Sequence, residues 1–317
     1  MIAILFIFVL FSIAMAIDII YGEPPSIIHP VVIIGKSIAK LNNYYIKLKN
    51  KVLSGFLFLM TIIIINTVPV IIILYLLYHI ENTVSIIIFS ILYIYFLKST
   101  FTVKAMKKHI KPVIEALNMD DIESARSSIS KVVRRDTSSM DSEHIISAAI
   151  ETIAEGFVDG YMTPLFFYAF GGIAAAIIAK VINTMDSNIA YKNMKYYEYG
   201  KATAIADSIT NYIPSRLAIY IFAISAWILG YRHCRKIIIN STDSLNAGYS
   251  MGSMAIILDV RLEKPGEYII NPGGSAPVLE DIRKAIKIYY LSSLLFIIIF
   301  VLPVMAILFY LHLFSIF

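Results

Sequence analysis

A single cysteine, Cys234, stands among 317 residues. That excludes an intrachain disulfide and any zinc site built from several thiolates. Charge is scarce too: 15% of residues are charged against 58% hydrophobic, and the mean hydropathy is +0.76. A chain this apolar falls outside the ordinary soluble class and fits the membrane class. Its charges are also segregated, since residues 1–17 and 288–317 carry none and residues 52–97 carry only Glu81. There is no Walker A loop, HExxH helix or Ser-His-Asp signature, and no internal repeat of the kind inverted-repeat transporters show. The net charge of +5 is modest. With no basic motif interleaved with aromatics, it argues for lipid-facing loops and against nucleic acid as a partner.

What is present is long apolar runs. A spanning helix needs about 20 such residues, at about 1.5 Å of rise each across about 30 Å of hydrocarbon. Residues 1–20 supply one span, residues 52–97 a hairpin of two, and residues 289–317 a fourth with Pro303 as a kink. The polar His79–Thr83 segment is the predicted hairpin tip, and Asn66–Pro69 is a competing break. Small residues at Ala14 to Ala16 resemble a signal-peptidase site, but no basic n-region precedes them, and the run reads as an uncleaved span. Lysines flank the hairpin on both sides: Lys36, Lys40, Lys47, Lys49 and Lys51 before it, Lys98, Lys104, Lys107, Lys108 and Lys111 after it. The positive-inside rule therefore puts both flanks in the cytoplasm and the Glu81 tip outside.

The expected fold is an all-α, polytopic integral membrane protein, one membrane-embedded domain over residues 1–317. Four transmembrane helices frame a cytoplasmic-facing region, residues 98–288, that holds two further apolar helices at 164–182 and 217–230, read as buried or re-entrant. Gly171 and Gly172 offer the first of these a small surface for close packing. Residues 98–135 read as Lys-rich amphipathic helices broken at Pro112 and at Asn118–Asp121, lying on anionic lipid.

Several polar clusters can carry chemistry. A helix from Ser142 to Phe157, with N-cap candidates at Thr137, Ser138, Ser139 and Asp141, sets His144, Glu151, Glu155 and Asp159 on one face. Like charges at this spacing repel, so the stripe is either a solvated face or a site that meets a cation such as Mg²⁺ or an amine. Asn183, Thr184, Asp186 and Ser187 are either helix caps or groups around a phosphate or metal, with Lys192 as the cation. Asp207, Asn211, Tyr212 and Arg216 precede an apolar segment, where Arg216 either snorkels to headgroups or clamps an anion. Asp18, Glu23, His29 and Lys36 follow the first span. Asp243, Ser244, Asn246 and Gly248 lie in a segment read as a turn-rich loop.

Taken in order, "GEPPSIIHPVVIIGK", "DTSSMDSEHIISAAIETIAEGFVDGYMTPLFF", "NTMDSNIAYKN", "DSITNYIPSRL" and "SLNAGYSMGSMA" resemble the adenosylcobinamide-phosphate synthase (CobD/CbiB) family of cobalamin biosynthesis. The chain departs from the family pattern at Gly156, Phe157, Ser208 and Leu245. The resemblance implies a carbon-nitrogen ligase that joins aminopropanol or its O-phosphate to the propionate of adenosylcobyric acid, with ATP as co-substrate and Mg²⁺ as cofactor. It assigns catalysis to Glu151, Glu155, Asp159 and Asp186, with Glu151, Glu155 and Asp186 on the metal. Substrate and phosphate contacts fall to His29, Asn183, Thr184, Lys192, Asn193, Asn211, Arg216 and Asn246. The implied location is the cell membrane with the site facing the cytoplasm, and the implied partners are the corrinoid, the bilayer and other corrinoid-assembly enzymes. The rival readings are a corrinoid transporter, which the uncharged spans disfavour, and a membrane scaffold of the same pathway. A membrane alcohol phosphotransferase is disfavoured because its paired Asp-Gly motifs are missing.

Overall fold

The computed structural model describes residues 2–80, 82–189, 197–231, 244–314 and 316–317. Glu81 at the expected hairpin tip, and Cys234, lie outside them. The described chain is helical but for one small hairpin. Its first helices are α1 (Ile2–Ile20), α2 (Pro30–Tyr45), α3 (Lys51–His79) and α4 (Thr83–Lys98), followed by α5 (Lys104–Asn118), α6 (Ile122–Ile129) and α7 (Ser142–Phe157). A π-helical turn, Val158–Met162, leads to α8 (Thr163–Ile189), then α9 (Lys201–Thr210), α10 (Tyr212–Ile228) and α11 (Ala247–Leu258). Strands β1 (Leu262–Lys264) and β2 (Tyr268–Ile270) pair antiparallel, and α12 (Leu279–Phe296), a second π turn at Ile297–Val301 and α13 (Leu302–Tyr310) complete the fold.

This is an all-α, polytopic membrane architecture. Among the described residues, Lys51–His79, Ser142–Ile189 and Leu279–Tyr310 are long and apolar enough to cross a bilayer. Along α3, Leu53, Phe56, Ile64, Ile72 and Leu76 are all about half exposed. Water would not tolerate such a surface, whereas acyl chains solvate it. The apolar run 164–182 lies within Ser142–Ile189, one of the segments long and apolar enough to cross, while α4, with 16 residues, reaches about 24 Å at 1.5 Å per residue.

Local chemistry explains where helices end and where they do not. The hairpin tip falls where the polar run predicts it, because Asn82 caps α4 by accepting from Ser85 N at 2.8 Å. Neither Asn66–Pro69 nor Pro112 breaks its helix: Pro69 lies inside α3 and Pro112 inside α5. Each proline costs one main-chain hydrogen bond, and a long packed helix absorbs that loss. The break after α5 comes at Asp120, whose φ of 55° ends the helix as expected. Asn183, Thr184, Asp186 and Ser187 are not caps but lie inside α8, and Gly248 lies inside α11 instead of in a loop. Gly172, at φ 62° and ψ −158°, breaks α8 in a conformation open only to glycine, so the Gly171–Gly172 pair serves a kink.

The chain divides into two compact units. One comprises residues 1–102, 163–210 and 301–317, the other residues 103–162 and 211–300. In the first, Phe11 stacks on Tyr168 at 5.4 Å, and the Tyr168 hydroxyl meets that of Tyr93 at 3.1 Å. A buried ion pair joins Lys98 to Asp18 at 3.0 Å, with side chains 3% and 0% exposed. Removing one member of such a pair strands the other and costs about 3–5 kcal/mol. In the second unit Phe157 packs on Phe222 at 4.6 Å and on Tyr289 at 5.8 Å, and Tyr161 donates to Ser293 O at 2.7 Å.

Gly55 on α3 is where the first unit tolerates no side chain, since an added Cβ would run into the backbone carbonyl of the buried Tyr199. Gly55→Ala is expected to destabilise the detergent-solubilised protein by about 1–3 kcal/mol, the usual cost of overpacking. Thermal unfolding checks this, and an unchanged melting temperature would contradict the contact.

Candidate active site

The site grows from α7. Asp141 caps the helix by accepting from His144 N at 2.9 Å, and this bond leads the interactions that hold its carboxyl below the usual aspartate range. Eight apolar residues of α7 are then fully buried or nearly so: Ile145, Ile146, Ala148, Ala149, Ile150, Ile153, Ala154 and Phe157. Polar residues recur every fourth position on the remaining face: Glu143, Ser147, Glu151 and Glu155.

The β1–β2 hairpin lies along that face and engages it turn by turn. Arg261 Nη2 donates to Glu143 Oε1 at 2.7 Å, and Glu263 N donates to Ser147 Oγ at 2.8 Å. One turn on, Tyr268 donates its hydroxyl to Glu151 Oε2 at 3.0 Å. Glu151 also accepts from Ser147 Oγ through Oε1 at 2.7 Å, and Oε2 lies 3.2 Å from Arg135 Nη2. Arg135 comes from the segment between α6 and α7 and is 12% exposed; its Nη1 is buried without a hydrogen-bond partner. Burial, reinforced by the charges of Glu151 and Glu155, raises the Tyr268 phenol far above its ordinary pKa and keeps it a donor.

Glu155 is the exception on this face. Among the described residues its carboxylate has no hydrogen-bond or ion-pair partner, although it feels repulsion from Glu151 and attraction to Lys264 and Arg135. Asp159 lies in the π turn that follows α7, where the wider turn takes residues out of the α-helical phase that predicts it on the same face.

The other expected site residues fall into separate groups. Arg216 and Asn246, thirty residues apart, do meet: Arg216 Nη1 donates to Asn246 Oδ1 at 3.2 Å and Nη2 to the Tyr249 hydroxyl at 3.2 Å. The guanidinium is sandwiched between Tyr212, 3.4 Å from the ring centroid, and Tyr249, at 4.2 Å. That stacking holds the cation flat and in place. Asn211 is buried just before α10. Asn183, Thr184 and Asp186 lie on α8 in the other unit, with Thr184 Oγ1 donating to Lys180 O. Lys192, Asn193 and Asp243 lie outside the described residues.

His29 belongs to the first unit. Its Nδ1 caps α2 by accepting from Val31 N at 3.1 Å, and Nε2 lies 3.3 Å from Glu23 Oε2. Contact with His29 outweighs burial and, with the charges of His29, Lys98 and Lys180, holds the Glu23 carboxyl down to about 2.

Sequence reasoning missed Arg135, Ser147, Tyr268 and Tyr249. Tyr268 had a signal, since Pro265–Gly266 between two short runs is hairpin chemistry. For metal binding, no group of three or more His, Cys, Asp or Glu side chains is placed to hold an ion among the described residues. Glu155 nonetheless offers hard carboxylate oxygens, and Mg²⁺ commonly takes one or two carboxylates with water and substrate phosphates completing its shell.

The family model described as "CobD/Cbib protein" matches residues 11–311. The chain belongs to the CobD/CbiB family. One relative, "Probable cobalamin biosynthesis protein CobD" of Thermoplasma acidophilum, is 42% identical over 298 residues, covering 92% of this chain and 96% of the relative. A protein of the same name from Pyrococcus furiosus is 35% identical over 287 residues, covering 90% and 95%. "Cobalamin biosynthesis protein CobD" of Leptospira interrogans is 32% identical over 305 residues, covering 92% and 96%. No solved structure matches the chain. Of the residues the sequence singles out, Glu151 with Glu155 on α7 and Arg216 with Asn246 are brought together.

The Glu23 carboxyl provides a pH test of the geometry around His29. Because its folded pKa is depressed, its stabilising contribution is complete above its unfolded value of 4.5 and is lost as pH falls toward about 2. Wild type is expected to melt above Glu23→Gln at pH 6, with the gap closing as pH drops from about 4.5 to about 2. A gap that does not change with pH would contradict the His29 contact.

Proposed function

We propose that this chain is the ligase of the late corrinoid pathway that joins aminopropanol, or its O-phosphate, to the propionate of adenosylcobyric acid. Membership of a family whose relatives are named for cobalamin biosynthesis supports the pathway. The observation that carries the chemistry is Glu155, a carboxylate without a protein partner among the described residues, beside a second one that is fully held.

A carboxylate does not acylate an amine at useful rates, so ATP transfers its γ-phosphoryl group to a propionate oxygen and ADP leaves. The amine nitrogen then attacks the acyl carbon, the carbon–oxygen bond breaks, and inorganic phosphate departs as the amide forms. Glu155 orients the amine and takes the proton it sheds. When bound, Mg²⁺ neutralises charge on the transferring phosphoryl group; Glu155 offers oxygen donors that suit it, and Asp186 carries a metal role by the family resemblance alone. Arg216, held flat by two tyrosines, and Asn246 take the phosphate side of the substrates, with Lys192 and Asn193 assigned to the same role. The lysine flanks of the α3–α4 hairpin favour a cell-membrane location with this site toward the cytoplasm.

The test uses purified protein in liposomes with adenosylcobyric acid, Mg-ATP and either amine, following corrinoid mass and ADP. Wild type is expected to add one amine per corrinoid for each ADP. Glu155→Gln and Asp186→Asn should each lose at least about a hundredfold in rate while still inserting into membrane. No mass gain with either amine, in protein shown to be folded, would overturn the reading.

A further inference from the structure

We propose that the two carboxylates of α7 have different jobs: Arg135, Ser147 and Tyr268 are positioning residues that lock Glu151 as an anchor for the β hairpin, and Glu155 alone of the pair touches substrate. This deepens the ligase reading and rests on it.

Glu143, Ser147 and Glu151 occupy three successive turns, and each is taken by one residue of the 261–268 segment: Arg261, Glu263 and Tyr268. The fourth turn brings Glu155, which the hairpin does not reach with any bond. Glu151 is only 6% exposed. Ser147 holds its Oε1, while Tyr268 and Arg135 share its Oε2. Ser147 is itself fixed by Glu263 N. Drawing Glu151 onto a metal or amine would remove three partners and leave the guanidinium of Arg135 buried without its counter-charge. Engaging Glu155 breaks nothing. Its carboxylate is part-exposed and bound to no side chain among the described residues, so a ligand can meet it without displacing a protein partner.

The stability consequences are opposite for the two residues. Glu151→Gln removes the counter-charge of Arg135, so its melting temperature is expected to fall by several degrees. Glu155→Gln removes a partnerless carboxylate, so its melting temperature is expected to equal or exceed that of wild type. A double variant, Arg135→Met with Glu151→Leu, removes the buried charges together and is expected to melt well above Glu151→Gln.

The experiment measures thermal unfolding of these variants in detergent without substrate, and then ligation in liposomes. In the ligation arm the double variant should keep the wild-type KM for the amine while kcat falls about tenfold. Glu155→Gln should lose at least a hundredfold. The proposal is overturned if Glu155→Gln melts as low as Glu151→Gln. It is equally overturned if the folded double variant loses as much activity as Glu155→Gln. A wild type inactive with both amines would sink the ligase reading while leaving the melting comparison to decide the division of labour.

Discussion

The constraint on which everything else rests is the expense of carrying a charge into apolar surroundings. A buried ion is tolerated only where an opposite charge and hydrogen bonds meet it. In the first unit Asp18, at the end of α1, meets Lys98, at the end of α4, and both are sealed from solvent. In the second, Arg135 meets Glu151, and two hydroxyls complete the carboxylate's bonding. These pairs fix helix ends and a hairpin in place, so the cost of desolvation becomes geometric specificity.

Glu155 differs from these sealed ions in being part-exposed. Glu155 lies one turn from a fully partnered carboxylate and has no partner of its own among the described residues. A fold that satisfies Glu143, Ser147 and Glu151 in succession has the means to satisfy a fourth position and does not. Glu155 stands on a helix whose other faces are packed with buried alanines and isoleucines. The Arg216 guanidinium is a second charge held by its neighbours, here over the rings of Tyr212 and Tyr249.

Much of this was legible in the sequence because it depends on local pattern. The hairpin tip at His79–Thr83, the Asp141 cap and the Glu151–Glu155 face all follow from runs, caps and spacing. What was not legible depends on pairing at a distance. Arg135 finds Glu151 across the turn before α7, and Tyr268 finds it from 117 residues away. Prolines misled for a related reason. Pro69 and Pro112 read locally as breaks, yet tertiary packing carries α3 and α5 straight through them. The π turn at Val158–Met162 has no dependable sequence mark, and it alone separates Asp159 from the simple four-residue stripe.

On the proposed division of labour, substrate meets Glu155 while Glu151 stays locked. A high-resolution electron-microscopy map of the protein in lipid nanodiscs, with adenosylcobyric acid, aminopropanol phosphate and a non-hydrolysable Mg-ATP analogue, tests it most directly. The account requires a Glu155 oxygen within bonding distance of the amine or the metal, with the Ser147 and Tyr268 bonds to Glu151 intact. A corrinoid seated away from α7, or Glu151 released from Arg135 onto the ligand, would contradict it.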